Sequence, residues 1–141
     1  MKFKQLHPDA ILPTKGSEAA GGYDIYMPQM GSLNQYEKEL FPLGFAAEVP
    51  PGYVAMILPR SGTGAKKGVE LVNTCGVIDS DYRGEWMAML ILKKDHESFI
   101  FDKGERLLQF VLVPALSVQP EWADELSDTS RGEGGFGSSG Q

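Results

Sequence analysis

Three apolar runs of strand length organise the chain. Residues 53–58 (YVAMIL), 86–92 (WMAMLIL) and 107–113 (LLQFVLV) each end or begin at turn or charged residues. Pro51-Gly52 precedes the first, Lys93-Lys94-Asp95 follows the second and Pro114 stops the third. Runs this short, without a 3.6-residue period, predict buried strands. Pro51-Gly52 suits the central positions of a type II turn. Shorter strands are expected at 25–26, 43–49, 69–72 and 99–101. Helix is expected only as a turn over 62–67 and as an acidic surface segment over 121–126. Many short strands with little helix predict an all-β sandwich, barrel or jelly roll. There is no internal repeat.

Composition narrows this picture. A length of 141 residues suits one domain. Seventeen glycines and nine prolines make about 18% of the chain, against a usual value near 12%, and mark frequent turns. Thirteen basic and nineteen acidic residues give a net charge of −6 with no basic block. That argues against a nucleic-acid partner, although a local anion site remains open. A single cysteine, Cys75, excludes an intrachain disulfide, and His7 and His96 lie too far apart for a structural zinc motif. The N-terminal residues hold no apolar stretch of signal-peptide length. The longest apolar run, 86–92, is far short of the roughly 20 residues that span a membrane. A soluble protein of a reducing compartment is expected, cytoplasmic by default and without a membrane partner.

Five polar segments could carry chemistry. Pro59-Arg60-Ser61-Gly62 lies between a buried strand and a helical turn, where free amides, a guanidinium and a hydroxyl suit an anion. The same residues also make an ordinary helix start, with Ser61 as cap. Residues 73–84 (NTCGVIDSDYRG) read as a hairpin with its tip near 74–76. Strand alternation there would place Asp79 and Asp81 on one face and Tyr82 on the other. Of two close carboxylates, one can activate water, and solvated acids in a polar turn are the alternative. Asp24 follows two glycines, in a place where backbone can approach a ligand or simply turn. Gln109 is a polar residue inside the third buried run and needs a hydrogen-bond partner. The last eleven residues (RGEGGFGSSGQ) cannot build a core: they form either a disordered tail or a loop that orders over a ligand. Lys66-Lys67 adds charge near the anion position, or is a solvated pair. Nothing in sequence next to Cys75 supplies a base, so it is not read as a nucleophile.

Taken in order, AAGGYDIY (19–26), PRSG (59–62), NTCGVIDSDYRGE (73–85), GERLLQFVLVP (104–114) and RGEGGFGSSG (131–140) closely resemble the trimeric dUTPase family. The resemblance spans residues 19–140. It implies a single-domain β jelly roll over 1–130, a homotrimer with active sites at subunit interfaces, and a flexible glycine-rich arm over 131–141 that closes on a neighbour's site. It implies Mg²⁺-assisted hydrolysis of dUTP to dUMP and pyrophosphate, which limits uracil in DNA and supplies dUMP for dTMP synthesis. By position, Asp79 is the general base for in-line attack of water on the α-phosphorus. Asn73 and the backbone of Gly76, Val77 and Ile78 read the uracil edge, and Tyr82 packs beneath the deoxyribose. Arg60, Ser61, Gly62 and Gln109 contact phosphates. Arg131, Gly137, Ser138 and Ser139 reach the γ-phosphate end, and Phe136 stacks on uracil. Mg²⁺ is expected to be held mainly by the triphosphate, with no direct protein ligand and Asp24 as an outer-sphere contact. The departures, Thr63-Gly64 and Cys75, fall outside this chemistry.

Other readings are a dCTP deaminase, a regulatory binder whose protein partner is switched by nucleotide, and a structural β protein. The first shares the fold, but its arginine- and glutamate-bearing segment after PRSG has no counterpart here. The second would leave no motif of its own.

Overall fold

The computed structural model describes residues 1–93 and 97–135. Its strands are β1 (Lys2–Gln5), β2 (Thr14–Lys15), β3 (Gly22–Tyr26), β4 (Gly31–Asn34), β5 (Lys38–Pro42) and β6 (Phe45–Glu48). They continue with β7 (Tyr53–Pro59), β8 (Val69–Leu71), β9 (Gly76–Ile78), β10 (Met87–Leu92), β11 (Ser98–Phe101) and β12 (Arg106–Pro114). One π-helical turn, Gly62–Lys66, follows β7. The largest sheet has the order β2-β3-β12-β7-β9, a second has β5-β10-β8, and β1-β6 and β11-β4 form two-stranded ribbons. Paired strands are antiparallel and mostly distant in sequence, as in a jelly roll.

The three long apolar runs became β7, β10 and β12 for the expected reason. In β10, Ala88, Leu90 and Leu92 are buried, and the alternating Met87, Met89 and Ile91 are less so. In β7, Ala55 and Ile57 are fully buried. These side chains join Ile25, Leu33, Phe101, Leu108 and Phe110 in one core cluster that unites the sheets. Trp86 lies at its centre, with ring centroids 5.3 Å from both Phe45 and Phe110. Each large buried side chain contributes about 1.5–3 kcal/mol. The Pro51-Gly52 turn forms as expected: Gly52 has φ +79, and the Tyr53 amide donates to the Pro50 carbonyl at 3.1 Å.

Four expectations need correction. The strand expected over 43–49 is confined to β6, because Gly44 breaks the chain at φ +78. Residues 121–126 form no helix and lie exposed, with Trp122 and Leu126 covered by nothing among the described residues. The segment around 73–76 is not a paired hairpin: β8 pairs with β10 in one sheet and β9 with β7 in another, so the chain crosses between sheets there. Thr74 takes the sharp bend at φ +66. Strand geometry stops at Ile78, so Asp79 and Asp81 do not share a strand face; they belong to a turn closed by the Tyr82 amide on the Asp79 carbonyl at 3.2 Å.

Candidate active site

One half of the candidate site is built by an irregularity in β12. Its register against β3 slips between Arg106 and Leu108. Leu108 is buried opposite Ile25, and Gln109 faces the other way, opposite Asp24. In an unbroken strand Arg106 would share the core face with Leu108 and Phe110. The extra residue turns Arg106 to the Asp24–Gln109 face, as bulges commonly re-aim a side chain. Leu107 and Leu108 are both buried as a result. Arg60, the residue after β7, reaches the same place.

Asp24 is buried there between two guanidinium groups. Its Oδ1 accepts from Arg60 Nε at 2.8 Å, and its Oδ2 from Arg106 Nη1 at 3.0 Å. Arg60 Nη1 also donates to the Arg106 carbonyl at 3.1 Å. One carboxylate against two partly exposed arginines leaves this end of the sheet locally positive, with further N–H donors for an oxyanion. Gln109 Nε2 finds its partner in the Pro59 carbonyl at 3.3 Å. Ser61 has helical dihedrals and makes no side-chain capping bond, contrary to its reading as a cap, so its hydroxyl stays available beside Gly62. The amides of Thr63 and Gly64 both donate to the Arg60 carbonyl at 2.9 Å and fold the turn back on Arg60.

Lys67 braces this half. Its Nζ donates to Glu105 Oε1 at 3.0 Å and lies 4.7 Å from the centroid of the Phe99 ring, so this surface lysine, still partly solvated, has fixed partners. Burial raises the Glu105 carboxyl pKa, but the Asp102 amide and the Lys67 ammonium outweigh it and hold the group below its ordinary value. The latch joins the end of the helical turn to the residue before Arg106.

The other half hangs from β9. This strand ends its sheet, so among the described residues its outer edge pairs with no further strand. The backbone of Gly76, Val77 and Ile78 is thus placed to meet a planar ligand edge to edge. Asn73 lies in the exposed turn before it, and the exposed Asp79 directly after it. Tyr82 Oη donates to the Glu85 carbonyl at 3.0 Å, and Arg83 Nη1 to the carbonyls of Ser80 and Tyr82 at 2.8 and 3.0 Å. Val77, Ile78, Asp79, Tyr82, Glu85 and Met87 line a shallow depression of ≈ 180 Å³.

No hydrogen bond or ion pair among the described residues joins Asp24 or Arg60 to the loop that carries Asp79. Ile78, the end of β9 next to Asp79, pairs with Ala55, five residues or about 17 Å from Arg60 at ~3.4 Å per residue, and Gly76 pairs with Ile57, three residues or about 10 Å from Arg60. The structure therefore brings together Asp24, Arg60, Ser61, Gly62 and Gln109 on one side, and Asn73, Gly76, Val77, Ile78, Asp79 and Tyr82 on the other. Arg131 lies in an exposed turn, with its Nε on the Gly134 carbonyl at 2.8 Å. Phe136, Gly137, Ser138 and Ser139 lie outside the described residues. Sequence reasoning missed Arg106; its only signal was an arginine at the mouth of a buried run, three residues before Gln109. Among the described residues no group of three or more His, Cys, Asp or Glu could hold a metal ion. Among the described residues no helix is long and apolar enough to cross a membrane.

Comparison with known proteins adds to this geometry. The family model described as dUTPase matches residues 8–140. The deoxyuridine 5'-triphosphate nucleotidohydrolase of Hydrogenobaculum sp. is 46% identical, over 97% of this chain and 95% of its own length. That of Nautilia profundicola is 39% identical, over 100% and 99%. A Staphylococcus bacteriophage 80alpha dUTPase variant, solved with dUpNHpp, matches with a TM-score of 0.89 at 28% identity, over 99% of this chain and 98% of that one.

Proposed function

The chain belongs to the dUTPase family and hydrolyses dUTP to dUMP and pyrophosphate, and we propose that it does so at composite sites, each joining the Asp79 half of one copy to the Arg60 half of another. The observation that carries this reading is the separation of the two halves along β7. The arm after β12 supports it. Leu116, Val118, Trp122 and Leu126 are almost wholly exposed, Trp122 at 103%. Apolar side chains set out in this way suit burial against another copy. The assembly is a homotrimer, with residues 1–130 as its β domain and 131–141 as the arm that closes over a neighbour's site. A free nucleotide substrate suits a cytoplasmic place.

In this site Asp79 accepts a proton from water as the water oxygen bonds to the α-phosphorus. The bond from that phosphorus to the bridging oxygen breaks, and pyrophosphate departs with the electron pair. Arg60, Ser61, Gly62 and Gln109, with Arg106 added from the structure, hold the phosphates and offset charge that grows on the leaving oxygen. Arg131, Gly137, Ser138 and Ser139 complete the grip at the γ-phosphate, and Phe136 covers the uracil. Closure excludes water and holds the triphosphate close to attack geometry.

Mg²⁺ fits this donor set as an ion that arrives with the triphosphate, held by phosphate oxygens and water. When bound it neutralises phosphate charge and polarises the phosphoryl oxygens. Asp24 is the acid nearest the phosphate-binding groups, but each of its oxygens already meets an arginine, so an outer-sphere contact would share those oxygens.

Selectivity comes from β9 and its flanks. Asn73 and the backbone of Gly76, Val77 and Ile78 pair with the uracil edge. Cytosine would leave those groups mismatched and thymine would bring a methyl group into the narrow loop. Rejection through unpaired polar groups reaches about 10⁴-fold, more than an apolar pocket gives. The test is pyrophosphate release with Mg²⁺ from dUTP, dCTP, dTTP and UTP. Release from dUTP alone is expected, and Asp79→Asn should bind dUTP normally yet release at least about 10²-fold less. Normal turnover by that variant would remove Asp79 from the role of base.

A further inference from the structure

Gly84 lies against the ring of Tyr82. A β-carbon built on Gly84 would collide with Tyr82 Oη and come within 2.6 Å of Cζ and 3.0 Å of Cε2. A side chain at 84 and the ring in its present place exclude each other. Within its own chain the ring has little else to hold it. Tyr82 is 43% exposed and takes no part in the core cluster. Its fixed points all belong to the loop itself: Oη on the Glu85 carbonyl, the amide on the Asp79 carbonyl and its own carbonyl on Arg83.

We propose that Gly84 is a positioning residue for sugar discrimination: it is the seat that keeps the Tyr82 ring where a ribose 2′-hydroxyl would strike it. The inference rests on the reading that Tyr82 packs beneath the deoxyribose. Steric rejection of one hydroxyl needs a wall that cannot give way by an ångström or so. A tyrosine buried in a core would be such a wall by packing alone. An exposed tyrosine becomes one only if its own loop pins it, and here the empty space over Gly84 allows Oη to reach Glu85. A methyl group at 84 breaks that hydrogen bond and frees the ring to swing. Because the same loop begins at Asp79, the ring is also set relative to the attacking water.

The experiment compares kcat/KM for dUTP and UTP in Gly84→Ala, Tyr82→Ala and the double variant. Tyr82→Ala and Gly84→Ala should each lower the dUTP preference by about tenfold or more. The double variant should be no less selective than Tyr82→Ala, since without the ring the seat has nothing to hold. If Tyr82→Ala leaves the preference unchanged, the sugar assignment of Tyr82 falls, and the role of Gly84 with it. If Tyr82→Ala relaxes the preference and Gly84→Ala does not, the sugar assignment stands and the seat is overturned. The seat is equally overturned if Gly84→Ala weakens both substrates alike. Should Gly84→Ala fail to fold, the double variant decides. Recovery of the fold on removing the ring places the conflict at Tyr82, as proposed, and continued misfolding places it in the backbone and overturns the proposal.

Discussion

Asp24 shows how a buried charge can act through its neighbours. It is largely removed from solvent, and both its oxygens are engaged by arginines. A carboxylate placed so fixes guanidinium groups that would otherwise be free on long side chains, and it lowers their mutual repulsion. Asp24→Asn keeps the shape and removes the charge. The loss of two charge-assisted hydrogen bonds should cost about 1–3 kcal/mol of stability. The KM for dUTP should rise by about tenfold or more while kcat falls less, since the phosphate grip is loosened and the base is intact. The decisive control is a Mg²⁺ titration. A clamp for arginines predicts that added Mg²⁺ does not restore KM, and restoration by Mg²⁺ would instead assign Asp24 to the hydration shell of the ion.

At the scale of elements, the Arg60 half depends on a bulge, a π-helical turn and the latch between Lys67 and Glu105. The latch gives a pH signature. Glu105 has its folded pKa lowered, so its contribution is fully present above the unfolded value near ~4.3 and fades as pH falls through the lower folded value. Both side chains of the pair are more than a third exposed, which limits the effect to about 0.2–1 kcal/mol. The melting temperature of the native protein should therefore exceed that of Glu105→Gln by a constant small margin from neutral pH down to about 5, and the margin should shrink as the pH falls further. A margin that widened on acidification would contradict the lowered pKa.

Much of this layer could be read from the sequence. The runs that became β7, β10 and β12 announced themselves by length and punctuation, and PRSG by its place between a strand and a helical turn. The bulge could not be read, because Leu107 and Leu108 are both apolar and either could lead the inward face. Only pairing with β3 decides, and that decision is what carries Arg106 to Asp24. Residues 73–78 misled for a related reason. A turn between two short apolar segments looks the same whether its arms pair with each other or with strands of different sheets. The acidic stretch 121–126 has good helix formers, yet an exposed segment with nothing to pack against does not gain helix from propensity alone.

For the whole molecule, the sequence motifs name the residues of the proposed site but not their distribution over copies. Arg60 and the Ile78 end of β9, where Asp79 follows, lie about 17 Å apart along β7 by strand geometry. An arm with an exposed tryptophan leaves the sheet at Pro114. In the proposed reading a single copy carries every part of the chemistry and no complete site. The most direct test is complementation between two inactive variants, Asp79→Asn and Arg60→Gln, expressed together with different tags and purified through both. Each parent alone should be inactive. Every doubly tagged trimer holds two copies of one variant and one of the other, so one of its three sites draws an intact Asp79 from one chain and an intact Arg60 from another, and dUTP hydrolysis should return to about a third of the native rate. Doubly tagged trimers no more active than the parents would place both residues in a site within one chain and contradict the account.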